Sequence, residues 1–224
     1  MIKVEKVKNQ MSNQMAKRVL MSVLGVVICG ISIGMFKYAA LGVDPFQSLM
    51  SGLDAMVPVR FGTLYVLVNL GLLCFALIFD RSKIGLATLI NLLFLGYIAE
   101  FSQHTTARLL PGLNIGGRFI LLAAAVVILC LSSAFYFTAD LGVSPYDSLA
   151  LIWSQKQNRI PFSYCRIIGD LVCVVLGIVL CTMAGFSFTR ILGEVGPGTI
   201  ITAFFMGPLI TWFNRHIAEP FLNE

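Results

Sequence analysis

An internal repeat is the feature of this chain that most limits how it can fold. Residues 42–49 (GVDPFQSL) recur one hundred positions later as residues 142–149 (GVSPYDSL). Six of the nine positions in 41–49 are identical to their partners, and the ungapped match extends back to position 18. Identity at Gly, Pro and Ser with fixed spacing rarely arises by chance. The chain is therefore predicted to consist of two homologous halves, and each half constrains the architecture of the other.

The composition indicates a membrane protein. Hydrophobic residues make up 58% of the sequence and charged residues 12%, whereas soluble domains carry about 25% charged residues. Apolar stretches of about twenty residues, the length that spans a bilayer, recur along the chain. The net charge of +5 arises mostly within residues 1–18, which hold five Lys or Arg and one Glu. Such a cluster is typical of a membrane flank, so the basic balance indicates a lipid bilayer and no nucleic-acid partner.

The apolar segments predict an all-α polytopic membrane protein with six transmembrane helices, three in each half. The expected spans are 18–39, 60–79, 83–102, 118–139, 161–183 and 195–214. The expected organisation is a basic cytoplasmic N-terminal segment at 1–17, a first three-helix repeat at 18–102, an outer loop at 103–117, a second three-helix repeat at 118–214 and a cytoplasmic C-terminal tail at 215–224.

Two segments between the spans, 45–56 and 145–157, are too short to cross a bilayer but begin with helix-start signals. Each has a turn glycine, an N-cap residue, a proline at the first helical position and a polar residue that completes a capping box. These residues are Gly42, Asp44, Pro45 and Gln47 in the first half, and Gly142, Ser144, Pro145 and Asp147 in the second. Both helices are amphipathic. Two placements stay open, flat at the membrane interface or folded back as a re-entrant half-helix beside a polar cavity.

The distribution of Lys and Arg sets the expected orientation. With a cytoplasmic N-terminus, the inner side holds eleven of the sixteen basic residues, or ten if Arg166 lies within the membrane. The inner set is Lys3, Lys6, Lys8, Lys17, Arg18, Arg81, Lys83, Lys156, Arg159, Arg166 and Arg215, and the outer set is Lys37, Arg60, Arg108, Arg118 and Arg190. Both termini are then cytoplasmic. Because each half has an odd number of spans, the halves are predicted to form a 3+3 inverted repeat, a plan common among secondary transporters.

Asp170 is the sharpest candidate for a functional residue, because it lies near the centre of the fifth predicted span. A charge at that depth costs roughly 2.5–3.5 kcal/mol to insert, so intramembrane charges mark solute, ion or proton sites by default. Arg166 precedes Asp170 by four residues on the same helix face, which leaves a structural ion pair as the alternative. Asn69 is the counterpart of Asp170 across a one-residue gap. Asn91 and Thr202 match each other in the third and sixth spans, and they indicate a shared polar cavity more weakly.

The starts of the two short helices are the second candidate site, because free backbone N–H groups and the helix dipole favour an anion there. The alternative is a cap that only satisfies its own backbone. The candidate lining residues are Asp44, Gln47, Ser48, Ser144, Tyr146, Asp147 and Ser148. Asp44 and Asp147 would repel a simple anion, so a zwitterion, or a cation that travels with an anion, fits no worse.

Glycine positions predict how closely the helices approach one another. Gly30 and Gly34 in the first span are typical of internal helix packing, although an oligomer contact stays open. Gly52 lies on the polar side of the first short helix, where we expect more room. The Gly207–Pro208 pair is predicted to kink the last span.

These features together resemble a known family. The six spans, the repeated Gly-Val-x-Pro-[Phe/Tyr]-x-Ser-Leu at 42–49 and 142–149, and the glycine-rich run 196–199 leading into 207–209 resemble the YczE/YyaS/YitT group of bacterial integral membrane proteins. The resemblance covers about 18–214. It is closest to the YczE-like branch, because the soluble C-terminal domain typical of YitT members is missing. It implies a bacterial inner membrane location but no substrate, since the activity of the group is poorly defined.

The inverted repeat with capped half-helices and an intramembrane Asp leads us to expect a transporter or permease-like protein for a small polar solute. The alternative is a membrane accessory or scaffold factor that supports another enzyme or complex. No enzymatic activity, catalytic residue, metal site or cofactor is expected, because the sequence lacks the corresponding motifs. A homo-oligomer or a membrane protein partner stays open. Transport predicts a continuous polar cavity between the halves that reaches Asp170 and is open to one side. A scaffold predicts a closed apolar interior and an exposed patch on one flank.

Overall fold

The computed structural model describes residues 2–81, 84–157 and 162–223, and helices dominate all three ranges. In chain order the helices are α1 (Ile2–Ala39), α2 (Pro45–Met56), α3 (Phe61–Phe79), α4 (Leu86–Leu109), α5 (Ile115–Ala139), α6 (Pro145–Gln157), α7 (Phe162–Met183), α8 (Phe188–Glu194), α9 (Pro197–Phe213) and α10 (Glu219–Asn223). A π-helical turn, Asn214–Ala218, joins α9 to α10. No strand occurs within these ranges, which confirms the predicted all-α class for the described part of the chain.

Within the described ranges, five helices are long and apolar enough to cross a membrane, and a bent pair is a sixth span if its two parts count as one. The five are Gln14–Ala39, Phe61–Phe79, Leu86–Leu109, Ile115–Ala139 and Tyr164–Met183. The bent pair, Phe188–Met206 and Pro208–Leu222, meets at an angle of 52°. This angle confirms the predicted kink at Gly207–Pro208. The kink arises because proline has no amide hydrogen to donate to the preceding helical turn.

Helix extends into three segments that were expected to be loops or tails. It continues through residues 2–17 of the N-terminal segment, 103–109 of the outer loop and 215–223 of the C-terminal tail. The C-terminal turn packs onto the bundle, because Ala218 is buried in a cluster with Met21 and Ala134. Thr138 Oγ1 on α5 also donates a hydrogen bond to Asn214 Oδ1 at 3.1 Å. Burial of Ala218 and the bond from Thr138 thus hold the C-terminal turn against the bundle.

Helices α1 and α5 form the centre of the bundle and pack with a reciprocal pair of hydrogen bonds. Ser32 Oγ on α1 donates to the carbonyl of Ala125 at 2.7 Å. Ser132 Oγ on α5 donates to the carbonyl of Gly25, also at 2.7 Å. Ser32 and Ser132 are repeat partners, as are Gly25 and Ala125. Because the later residue of each helix contacts the earlier residue of the other, α1 and α5 run antiparallel.

The two ends of α3 identify the two ends of the bundle. Lys37, near the end of α1, places its Nζ 3.1 Å from the ring centroid of Phe61 at the start of α3. Lys156 in α6 places its Nζ 4.0 Å from the ring centroid of Phe79 at the other end of α3. The 19 residues of α3 span about 28 Å. Lys37 and Lys156 thus lie at opposite ends. Two further basic residues of the orientation argument, at positions 83 and 159, lie outside the described residues.

The linkers that precede the short helices pack in the same way in both halves. Gly42 and Gly142 have φ angles of 102° and 105°, which confirms the prediction that glycines supply the turn. The amide of Gly198 donates to the carbonyl of Leu41 at 2.8 Å, at the start of α9. The amide of residue 87 donates in turn to the carbonyl of residue 141 at 3.0 Å, at the start of α4. Each linker is thus held by the last span of the other half.

Close packing of glycines follows the prediction at α1 but not at α2. A Cβ atom on Gly34 would lie 2.5 Å from Ser102 Cβ on α4, which confirms internal helix packing at this position. The expectation of more room at Gly52 is wrong. Gly52 is buried, and a Cβ there would lie 2.8 Å from Leu180 Cβ and 3.0 Å from the carbonyl oxygen of Gly177 on α7. The polar side of α2 packs against α7 instead of facing an open space.

Candidate functional site

A cavity of about 100 Å³ lies where the two halves meet, beside the middle of α1 and α5. Both halves contribute polar side chains to its wall. Nine of the twelve candidate residues line it: Asp44, Gln47, Asn91, Ser144, Tyr146, Asp147, Arg166, Asp170 and Thr202. A volume of this size exceeds the space that one water molecule needs. The cavity can therefore hold a small polar solute.

The N-termini of α2 and α6 converge on this cavity. Phe46 and Tyr146, which are repeat partners, stack with ring centroids 4.7 Å apart and an interplanar angle of 22°. Asp44 Oδ1 caps α2 by accepting the amide of Gln47 at 3.3 Å. Ser144 Oγ caps α6 by accepting the amide of Asp147 at 3.0 Å. The predicted N-caps are confirmed in both halves, and each cap places a polar side chain in the cavity wall.

The polar residue three positions after each cap behaves differently in the two halves. In α6, Ser144 Oγ also donates to Asp147 Oδ2 at 2.7 Å, so the side chain of Asp147 contacts its cap. In α2, Gln47 Oε1 is buried and accepts no hydrogen bond from any residue in the described ranges. The capping box predicted for Gln47 is therefore not formed. Gln47 instead forms part of the cavity wall.

Arg166 links the acidic residues of the second half. Its Nε donates to Asp170 Oδ1 at 3.2 Å and its guanidinium forms an ion pair with Asp147. Tyr146 OH donates to Asp170 Oδ1 at 2.6 Å. The guanidinium carbon of Arg166 also lies 4.7 Å from the ring centroid of Tyr146, a distance that allows a cation–π interaction. Arg166 thus compensates two buried carboxylates, and Tyr146 joins α6 to α7.

The first half has neutral side chains at the matching places. Across the one-residue gap, Tyr65 is the partner of Arg166, and Asn69 is the partner of Asp170. Tyr65 lines the cavity and its hydroxyl donates to Asn91 Oδ1 at 3.4 Å. On the opposite wall, Thr202 Oγ1 bonds within its own helix at 3.0 Å. The cavity therefore joins a neutral polar wall to a charged one.

Three candidate residues lie outside the cavity wall and have local structural contacts. Asn69 is fully buried, and its Nδ2 donates to the carbonyl of Tyr65 at 2.9 Å. Ser48 Oγ donates to the carbonyl of Glu194 at 3.0 Å and holds α2 against the entry to α9. Ser148 Oγ donates to a carbonyl in its own helix at 2.6 Å. The donor atoms of these three side chains all bond to backbone carbonyls, whereas Asn69 Oδ1 is buried and accepts no hydrogen bond from the described residues.

Sequence reasoning missed several residues of the cavity wall. Tyr65, Cys29, Ser132, Ser133 and Tyr136 all line it. The sequence feature that could have identified them is a side chain with a polar atom within an apolar span. In α5 that signal repeats, because Ser132 and Tyr136 are four residues apart on one helix face. Such spacing in an apolar span is the sequence signal that points to this wall.

The donor set of the cavity is not arranged for a metal ion. Across the part of the chain that the structure describes, no group of three or more His, Cys, Asp or Glu side chains lies close enough to ligate one. Asp44, Asp147 and Asp170 surround the cavity without converging on one point. The arrangement suits a small polar molecule that contacts several walls.

Fold and site together define a polytopic helical membrane protein with a cavity that polar side chains of both halves help to line. The chain belongs to the family of unknown function DUF6198, whose model matches residues 16–215. This agrees with the resemblance that the repeated motif indicates. No solved structure matches the chain significantly.

Three bacterial proteins are similar to the chain over most of its length. The uncharacterized protein YyaS of Bacillus subtilis is 23% identical over 201 residues, which cover 90% of this chain and 94% of that protein. An uncharacterized protein of Haemophilus influenzae is 24% identical over 205 residues, covering 91% and 86%. The uncharacterized membrane protein YczE of B. subtilis is 23% identical over 188 residues, covering 83% and 80%.

Proposed function

We propose that the protein is a transporter or permease-like protein that moves a small polar solute across the bacterial inner membrane. The observation that carries this proposal is the polar cavity between the two halves, which reaches Asp170. A scaffold with a closed apolar interior has no need of this cavity. Keeping charged side chains at this depth is costly, and such cost is usually retained for solute, ion or proton passage.

Two-fold contacts support an inverted repeat as the architecture of this transporter. The reciprocal bonds of Ser32 and Ser132, and the stack of Phe46 on Tyr146, join residues that are repeat partners. Isologous contacts of this kind arise where a two-fold axis relates two similar units. Antiparallel packing of α1 and α5 fits an axis in the membrane plane. Sites of inverted-repeat transporters lie near the midplane, where the halves meet.

The positions of both ends of α2 favour the re-entrant placement over the interfacial one. Its first turn, at Phe46, meets the cavity beside the middle of α1. Its last residue, Met56, precedes Phe61 by a short connection, and Phe61 lies against Lys37 at the end of α1. The linker before α2 therefore enters to mid-depth, and α2 returns to the side from which the chain came. Irregular backbone at that depth is tolerated only where it is buried in protein or lines a cavity.

In this proposal, both termini are cytoplasmic, and Lys156 lies on the cytoplasmic side while Arg60 lies outside. The excess of Lys and Arg on the inner segments supports this orientation. Movement of one half against the other would then expose the cavity to each side in turn. Each half-helix packs against the opposite half, α2 on α7 and α6 on α3. The cavity walls would consequently separate along these contacts.

An unbiased metabolite screen tests the function. Cells that express the protein are compared with cells that lack it, and with cells that express Asp170→Asn, for uptake and export of small solutes. We expect at least one polar solute to change in abundance with the protein and to return toward the control level with the variant. Unchanged solute pools, together with copurification of the same membrane protein by both forms, would support the accessory-factor alternative instead.

A further inference from the structure

We propose that the solute is a small organic cation with N–H donors, bound between Asp44, Gln47 and the aromatic rings of the cavity. This inference rests on the proposed transport function and names the chemical class of its solute.

Charge counting around the cavity supports a cation. Three carboxyl groups, those of Asp44, Asp147 and Asp170, face one guanidinium, that of Arg166. Arg166 is already shared between Asp147 and Asp170. Among the described residues, no positively charged group forms an ion pair with the Asp44 carboxylate within 4.0 Å. A charge in a site of low dielectric needs a partner, and a cationic solute supplies one.

An unused acceptor lies one turn from Asp44. Gln47 is 2% exposed, lines the cavity and carries an Oε1 that accepts no hydrogen bond from the described residues. A buried acceptor without a donor costs about 1–3 kcal/mol, so a bound N–H group at this place is favourable. The N-terminal dipole of α2 would attract an anion, but Asp44 already caps this end with its own carboxyl group. Asp44 and Gln47 thus present oxygen atoms, and together they indicate a donor-rich cation.

Aromatic rings complete the recognition surface. Phe46 stacks on Tyr146 and lies edge-on to Tyr65, with the second pair of centroids 6.0 Å apart. The faces of such rings stabilise ammonium groups, and the rings pack against short alkyl chains. The cavity of about 100 Å³ limits the solute to a few heavy atoms. A primary alkylamine of this size satisfies the carboxyl group, the amide oxygen and the rings together.

Binding to the purified full-length protein in lipid nanodiscs tests this class with matched probes. n-Butylammonium, butyramide and butyrate have similar shapes and differ in charge, and tetramethylammonium carries the charge without an N–H. We expect n-butylammonium to bind best, tetramethylammonium to bind more weakly, and the amide and the carboxylate not to bind. Preference for butyrate, equal binding of all four probes, or no binding to the folded protein would overturn the inference.

Two variants locate the binding site, and a third is the control. Asp44→Ser keeps a capping side chain, which the second half already uses, and removes the charge. We expect it to weaken n-butylammonium binding by about tenfold or more, and Gln47→Ala by about threefold to tenfold. Asp54→Asn makes an equivalent charge change on the exposed side of α2 and should leave binding unchanged. Equal effects of Asp44→Ser and Asp54→Asn would contradict the site.

Flux in proteoliposomes separates this inference from the proposed function. If n-butylammonium binds at Asp44 but no cation or other solute crosses the bilayer, the transport proposal fails while the cation site stands. If an anionic solute is carried and n-butylammonium neither binds nor competes, transport stands and the solute class proposed here is wrong.

Discussion

At the residue scale, Arg166 determines how much charge the cavity keeps. Its guanidinium contacts Asp147 on the half-helix α6 and Asp170 on the span α7. Removing one partner of a buried pair is usually more destabilising than replacing the whole pair, because a lone charge is left behind. Because one guanidinium contacts two carboxylates, neutralising either carboxylate still leaves the guanidinium paired, and the loss of stability is smaller. Arg166 would remain paired with Asp147 if Asp170 became neutral.

We therefore predict that Asp170→Asn folds but loses solute flux by about tenfold or more, which corresponds to about 1.4 kcal/mol. The amide keeps the shape of the side chain but no longer offers Tyr146 and Arg166 a charged acceptor. Flux in proteoliposomes and the thermal midpoint in detergent are the measurements. Normal flux would remove the functional role of the charge. Loss of folding that is rescued by adding Arg166→Gln would identify the pair as structural.

The helix caps give a second prediction. Asp44→Ala and Ser144→Ala should each lower the free energy of unfolding by about 0.5–2 kcal/mol, because each removes the acceptor of an amide at a helix start. Asp44→Ser should be much milder, since Ser occupies this place in the second half. Reversible unfolding in mixed micelles measures both. A loss with Asp44→Ser as large as that with Asp44→Ala would contradict the capping argument.

At the element scale, glycines allow very close contacts between α2 and α7 and between α1 and α4. The backbone of Ser48 and the position of Gly52 in α2 both lie against Gly177 in α7. At Gly34, α1 approaches Ser102 in α4 just as closely. These contacts leave no space for a side chain, so glycine at these places is required by neighbouring backbone.

We predict that Gly34→Leu and Gly52→Leu both reduce the yield of folded protein severely. Overpacking of a tight interface typically costs about 1–3 kcal/mol or more. Gly71→Leu on α3 is the matched control, because a Cβ there would meet nothing within 4 Å. Fluorescence-detected size-exclusion chromatography compares the three. A Gly52→Leu protein that behaves like Gly71→Leu would contradict the observed packing of α2 on α7.

The sequence predicted the starts of the short helices well and their surroundings poorly. N-caps at Asp44 and Ser144 depend on local chemistry, which the residues themselves carry. The environment of Gly52 depends on α7, far away in the chain, and amphipathicity alone assigned it to the wrong neighbour. The capping box expected at Gln47 is also absent, and the local pattern does not show that Gln47 lies in a cavity wall that residues of both halves build. Local rules fail here where a candidate functional site is built.

At the scale of the whole molecule, the repeat made the meeting of the two short helices predictable. Residues that match by sequence, such as Phe46 and Tyr146, come into contact where the halves join. The repeat could not predict that the Arg166–Asp170 ion pair has no counterpart in the first half, where Tyr65 and Asn69 occupy the matching positions. Contacts between the halves also place Ser48 against Glu194, which no pattern within one half could indicate.

The opposed orientation of the two halves is the central claim of this account, and labelling from each side of the membrane tests it most directly. Arg60→Cys and Lys156→Cys are placed separately in a background without the six native cysteines. A membrane-impermeant maleimide is then applied to intact and to permeabilised cells. We predict that position 60 reacts in intact cells and that position 156 reacts only after permeabilisation. Labelling of both positions from the same side would contradict the inverted arrangement.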